Sequence, residues 1–203
     1  MAGRPRGVED AVLLRHTAEV MGRLGPGGLT LAAVAREAGV VPATLVQRFG
    51  SKRGLLLALA RSSAQEADDR YERLRTAHSS PLAALLALAD EAAAPMATPA
   101  RFANHLAFLG LDLTDPELHE HALSVHRAQH RAFTRLLDAA REQGELRPGT
   151  DPARLARSLQ AVLAGTGLTW ALDREGTLAD RLRTELTDLL AGHLARPTPL
   201  EDA

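Results

Sequence analysis

The chain has 203 residues, a net charge of -1 and no cysteine, which excludes a disulfide framework and thiol chemistry. Its length suits one large helical unit or a small domain fused to a larger one. No apolar run approaches the roughly 20 residues of a membrane span, and the opening MAGRPRG lacks the apolar centre of a secretory leader, so a cytoplasmic protein with no membrane partner is expected.

In chain order, Gly3-Arg4-Pro5-Arg6-Gly7 reads as an extended arm, because proline disfavours helix at the residue before it. Arg4 and Arg6 could enter a narrow minor groove; a plain tail is the alternative. Val8 to Leu24 reads as a helix with Val8, Ala11, Leu14, Ala18, Met21 and Leu24 on its apolar face, ended by Gly25-Pro26-Gly27-Gly28. A short helix follows, capped by Thr30, apolar at Leu31, Val34, Ala35 and Ala38, and closed at Gly39. Pro42 then starts a second short helix to Arg48. Leu45 and Phe49 should point inward, and Ala43, Thr44, Gln47 and Arg48 outward.

Two short helices joined by a glycine-containing turn form the unit that sets its second helix in the major groove of DNA. The outward residues suit that work: Gln can pair with adenine, Arg with guanine, and the methyl groups of Ala43 and Thr44 can meet a thymine methyl. Ser51 caps the next helix, and Lys52 and Arg53 stand in its first turn, where an anion such as a DNA phosphate is favoured. This helix should run through Leu55–Leu59 towards Ala77 and act as a lever on the reading head. Charge agrees. Residues 1–53 hold eight basic side chains against four acidic ones, whereas the remainder holds 16 against 21, a footprint for polyanion at one end only.

From about Arg4 to Leu59 the chain resembles the DNA-binding domain of the TetR (tetracycline repressor) family. The matching residues are Thr30, Val34-Ala35, Ala38-Gly39-Val40, Thr44-Leu45, Phe49 and Ser51-Lys52. Three positions depart from the family pattern: Val41 stands where Ser is usual, Ala43 where Gly is usual, and Val46 where a phosphate-binding Tyr is usual. The resemblance implies an all-α protein, with an N-terminal three-helix helix-turn-helix DNA-binding domain over residues 1–55 and a larger helical effector-binding and dimerisation domain over 56–203. The DNA-binding candidates are Arg4, Arg6, Thr30, Pro42, Ala43, Thr44, Gln47, Arg48 and Lys52.

The rest also reads helical: Pro81 to Ala93, a break at Pro95 to Pro99, Pro99 to Leu111, Asp115-Pro116 to about Gln143, Asp151-Pro152 to Asp173, and a last helix capped by Thr177 and ending near Leu194. The last two helices are apolar nearly all round, as expected of helices buried on both sides. Leu155, Leu159, Leu163, Leu182, Leu186 and Leu189 are the candidate homodimer contacts implied by the resemblance. His119, His126 and His130 share one flank of the long helix, and the last two have the i, i+4 spacing of a metal-binding pair. No cysteine or carboxylate-rich motif accompanies them, so a solvated or interface flank is the plainer reading, and neither metal nor cofactor is assigned.

No phosphate loop, H-E-x-x-H or nucleophile elbow is present, and no catalytic residue is assigned. The expectation is a homodimeric, ligand-responsive transcriptional regulator. It would repress from a two-fold operator in double-stranded DNA until a small, largely apolar effector releases it. A small all-helical ligand-binding protein or enzyme is the alternative. Phe102, His105, Leu106 and Leu109, three or four residues apart on one helix, with Trp170 across from them, are the effector candidates.

Overall fold

The computed structural model describes residues 8–195; the arm bearing Arg4 and Arg6 lies outside them. The described chain is built from α1 (Asp10–Gly28), α2 (Leu31–Glu37), α3 (Pro42–Phe49), α4 (Lys52–Ala77), α5 (Pro81–Ala93), a 3-10 turn (Ala94–Met96), α6 (Pro99–Thr114), α7 (Pro116–Glu142), α8 (Pro152–Asp173) and α9 (Leu178–Ala191). The fold is all-α. Among the described residues the one extended pairing is an isolated antiparallel bridge between Leu146 and Leu194.

Side-chain caps set where the helices begin. The oxygens of Thr30, Ser80, Thr98, Asp151 and Thr177 each accept the N–H three residues on, at 3.0 to 3.2 Å, which satisfies a first-turn donor that has no helical partner. Ser51 does the same for Gly54 at 3.1 Å. At the start of α3, Val41 occupies the cap position without any side-chain cap bond.

The chain divides into two compact units, one comprising residues up to Glu66 with Thr98–Val125, the other Ala67–Ala97 with residues from His126 onward. In the first, Leu13, Leu14, Val20, Leu29, Val34, Ala35, Leu45, Leu55 and Phe108 form one core, and α1 packs along α6. The buried face of α1 is centred on Thr17 rather than on the expected stripe: Ala11, Ala18 and Leu24 are exposed. Thr17 can be buried because its hydroxyl donates to the Leu13 carbonyl at 2.8 Å, leaving no orphaned polar group. At Gly25 the backbone leaves the helix, at φ 66° and ψ -175°.

The second unit is organised around Phe133, Leu136, Leu137, Leu85, Leu88 and Leu159, joined by Tyr71 and Leu74 from the end of α4. Here α9 packs against α8 and α5. Leu155, Leu159, Leu182 and Leu186 are buried within this unit, and Leu163 and Leu189 are half-buried against its core. Four of the six candidate contacts therefore have their side chains covered within one chain, while Leu163 and Leu189 keep a partly open side. The small and apolar residues of α8 left outside are Ala161, Ala164, Gly165, Leu168 and Leu172.

Gly54 is a close-approach position: a Cβ there would stand 2.0 Å from the Phe49 carbonyl oxygen. Helix propensity alone would make Gly54→Ala stabilising by about 1 kcal/mol. A backbone clash of this depth instead forces α3 and α4 apart, at a cost of about 1 to 3 kcal/mol. Thermal unfolding should therefore show Gly54→Ala less stable than the parent. Val41→Ser, which supplies the missing cap, should be more stable by about 1 kcal/mol; the reverse order would refute this account of the α3 termini.

Candidate nucleic-acid interface

The two short helices are fixed in three ways. Val34, Ala35 and Leu45 are buried in the first unit's core. Gly39, at φ 67°, takes the left-handed conformation that lets α2 end, and the Val40 N–H returns to the Ala35 carbonyl at 2.9 Å. An ion pair from Arg23 on α1 to Glu37 on α2, at 2.5 Å, joins the supporting helix to the first of the pair.

With Leu45 turned in and Phe49 half-buried, α3 exposes Pro42, Ala43, Val46, Gln47 and Arg48, and Thr44 is half-buried. Val41, just before the helix, is 65% exposed, and Val46 is 49% exposed. Thr30 is exposed, with its oxygen engaged in the α2 cap.

Two cationic candidates are held differently from what the sequence suggests. Arg48 Nη1 donates to the Val8 carbonyl and, at 2.8 Å, to Asp10 Oδ1, so it ties α3 to the start of α1 rather than standing out towards a base. Lys52 Nζ donates to the Pro26 carbonyl at 2.8 Å and closes the loop after α1. Both bonds span regions far apart in sequence, and no local spacing announces them. Gln47 keeps an outward amide.

Arg53 is also engaged. It bonds Asp115 at 2.9 and 3.0 Å and Glu117, joining the first turn of α4 to the junction of α6 and α7. The bonds from Glu117 and then Asp115 raise the Arg53 pKa. Asp115 is held below the usual carboxylate range by the Leu118 N–H first, with Arg53 adding to the effect. Two further contacts bind α6 to α1: Asn104 Nδ2 donates to the Gly22 carbonyl at 2.9 Å, and Arg101 pairs with Glu19 at 3.0 Å. Sequence reasoning missed this seam, since its partners lie 82 residues apart.

Of the effector candidates, Phe102 is buried, whereas His105, Leu106 and Leu109 keep exposed surface on α6. Desolvation lowers the His105 pKa, which favours its neutral ring near pH 7. Trp170 belongs to the second unit, is buried, and donates its indole N–H to the Gly176 carbonyl at 3.2 Å. His126 and His130 both meet Gln160 of α8, at 3.3 and 3.1 Å. Among the described residues no group of three or more His, Asp or Glu is placed to hold a metal ion.

Residues 13–59 match the sequence model of bacterial regulatory proteins of the tetR family, and residues 81–186 match that of the tetracyclin repressor-like C-terminal domain. Solved structures share the fold. A putative transcriptional regulator from Saccharomonospora viridis in complex with choline is 20% identical, with a TM-score of 0.72 over 92% of this chain and 98% of that one. SmeT of Stenotrophomonas maltophilia, the repressor of the multidrug efflux pump SmeDEF, is 22% identical, with a TM-score of 0.65 over 96% and 98%. The regulator FadR of Bacillus subtilis in complex with stearoyl-CoA is 18% identical, with a TM-score of 0.62 over 91% and 99%. No curated protein sequence matches the chain.

The held and unheld side chains of α3 should behave differently on DNA. Gln47→Ala should cost roughly 1 to 3 kcal/mol at the cognate site and relax preference at one base pair. Arg48→Ala, which frees the α1 terminus, should weaken all duplexes alike. Titration of a panel of single-base operator variants checks this, and a change of base preference in Arg48→Ala alone would place Arg48 in the groove.

Proposed function

The chain belongs to the tetR family of bacterial regulatory proteins, a DNA-binding transcriptional regulator by that membership, and from this premise we propose how it works. It is a cytoplasmic homodimeric repressor, not an enzyme, that holds a two-fold operator through α3 of each copy and lets go when a small, largely apolar effector binds. Residues 1–55 read DNA, and 56–203 sense the effector and dimerise. What supports this most is the exposed face of α3, presented by a capped and buried partner helix at the basic end of the chain.

Dimerisation is assigned to the outward stripe of α8. Ala161, Ala164 and Gly165 let a second helix approach closely, and the exposed Leu168 and Leu172 supply apolar surface. Leu163 and Leu189 can contribute their half-open sides. Effector contact is assigned to His105, Leu106 and Leu109 on α6, with Phe102 of the same helix as buried backing. The neutral His105 suits an uncharged or weakly acidic guest. The stearoyl chain of the ligand bound by the Bacillus subtilis regulator is apolar in the way proposed here, whereas the choline of the Saccharomonospora viridis protein is a small cation.

Release would be a population shift: the effector binds the conformation that fits the operator less well, and only its differential affinity does work. Because α6 carries the exposed effector candidates and is clasped to α1, its displacement would disturb the reading head directly.

Sequencing duplexes selected by the purified protein should return a two-fold site, and light scattering at micromolar concentration should give a dimer mass. Absence of any duplex affinity at low salt would overturn the regulator reading. Fatty acids and neutral aromatic compounds should release the operator, whereas choline should not. Leu109→Gln should hold the operator normally but respond to none of the compounds that release the parent; a normal response would move the effector site off α6.

A further inference from the structure

We propose that α3 reads thymine through the C5-methyl group, using Val41 and Val46 as the contacting side chains. The inference rests on the docking of α3 in the major groove described above.

Val41 and Val46 are 65% and 49% exposed, one just before α3 and the other within it. Scattered exposed apolar residues need no special explanation. These two are not scattered. Val46 stands one helical turn after Pro42, itself exposed and adjacent to Val41, so Val41, Pro42 and Val46 form one apolar edge beside Ala43. The hydrogen-bonding side chains that could compete for the groove are engaged elsewhere: Arg48 on Val8 and Asp10, Lys52 on Pro26. Gln47 is left as the exposed amide of α3, and its side chain makes no hydrogen bond among the described residues.

A face so composed selects its partner by chemistry. Phosphates offer only charged oxygens, which neither valine can bond. Among the base edges of the major groove, thymine presents a methyl group where the others present donors and acceptors. An exposed valine against that methyl removes apolar surface from water on both sides, and a cytosine at the same place carries only a hydrogen on C5, so less apolar surface is covered. Thymine is therefore favoured at these positions, while Gln47 reads a neighbouring adenine.

The test uses the full-length protein and the duplex it selects. Each thymine of one half-site is replaced in turn by deoxyuridine, which removes the C5-methyl and keeps every hydrogen-bonding group. One or two positions should bind about fourfold more weakly, the equivalent of about one buried methyl-sized group. Val46→Ala or Val41→Ala should erase that thymine-uracil difference at its own position, and Gln47→Ala should leave it intact. Both valines are exposed, so neither substitution touches the core, and unchanged thermal unfolding confirms it. Uracil tolerated at every position, or a full difference retained in both valine variants, overturns this inference and leaves the regulator reading standing. Selection of no duplex at all overturns both.

Discussion

An eight-residue helix does not persist alone in water. Nucleation costs more than so few hydrogen bonds return, and isolated helices below about 12 to 15 residues are marginal. α3 exists because Leu45 is buried completely beside Val34 and Ala35, and everything it shows to the outside follows from that docking. Turning Leu45 inward fixes the helix rotation. Ala43 and Gln47 must then face out, with Val46 at the edge. Gly39 and Gly54 serve the same constraint from the two ends, one by allowing the turn and the other by letting α4 pass close to the Phe49 carbonyl.

The cations near this face differ in what they leave for DNA. Arg48 and Arg53 are paired with Asp10 and with Asp115 and Glu117, whose carboxylates offset their field. Lys52 donates to the neutral Pro26 carbonyl and keeps its positive charge near the reading surface, where long-range attraction to polyanion does not require a direct bond. Grip and steering are thus separable. A phosphate arriving at Lys52 would compete with the Pro26 carbonyl, whereas the exposed valines have nothing to surrender.

Much of this was legible in the sequence, and the reason is local. Thr30, Ser51, Asp151 and Thr177 cap within three residues of themselves, so helix starts could be read directly. The inward Leu45 followed from helical periodicity. Rotation about a longer helix was less secure: on α1 the expected apolar stripe missed Thr17, whose burial depends on a hydroxyl bond to its own helix and which no hydropathy pattern marks. Arg48, Lys52 and Asn104 take partners 26 to 82 residues away, a distance at which spacing carries no information. Periodicity on α8 and α9 picked out Leu155, Leu159, Leu182 and Leu186, which are buried, but burial within the chain and burial against a second copy give the same pattern. Only the structure separates Leu155 and Leu159 from the outward Ala161, Gly165 and Leu172.

The seam between α1 and α6 also sets the scale of any response transmitted through it. An exposed ion pair such as Arg101 with Glu19 contributes about 0.2 to 1 kcal/mol, and a neutral hydrogen bond such as Asn104 to the Gly22 carbonyl about 0.5 to 1.5 kcal/mol. Together they amount to about 0.7 to 2.5 kcal/mol. A tenfold change in operator affinity needs about 1.4 kcal/mol. The polar clasp is therefore strong enough to bias the reading head and weak enough for one small ligand to overcome. The apolar contact of Phe108 in the same core is a different matter: pulling it into water costs more than such a ligand needs to supply. A displacement of α6 that breaks the polar seam while keeping Phe108 packed, a small slide or rotation rather than a detachment, is the motion these magnitudes favour.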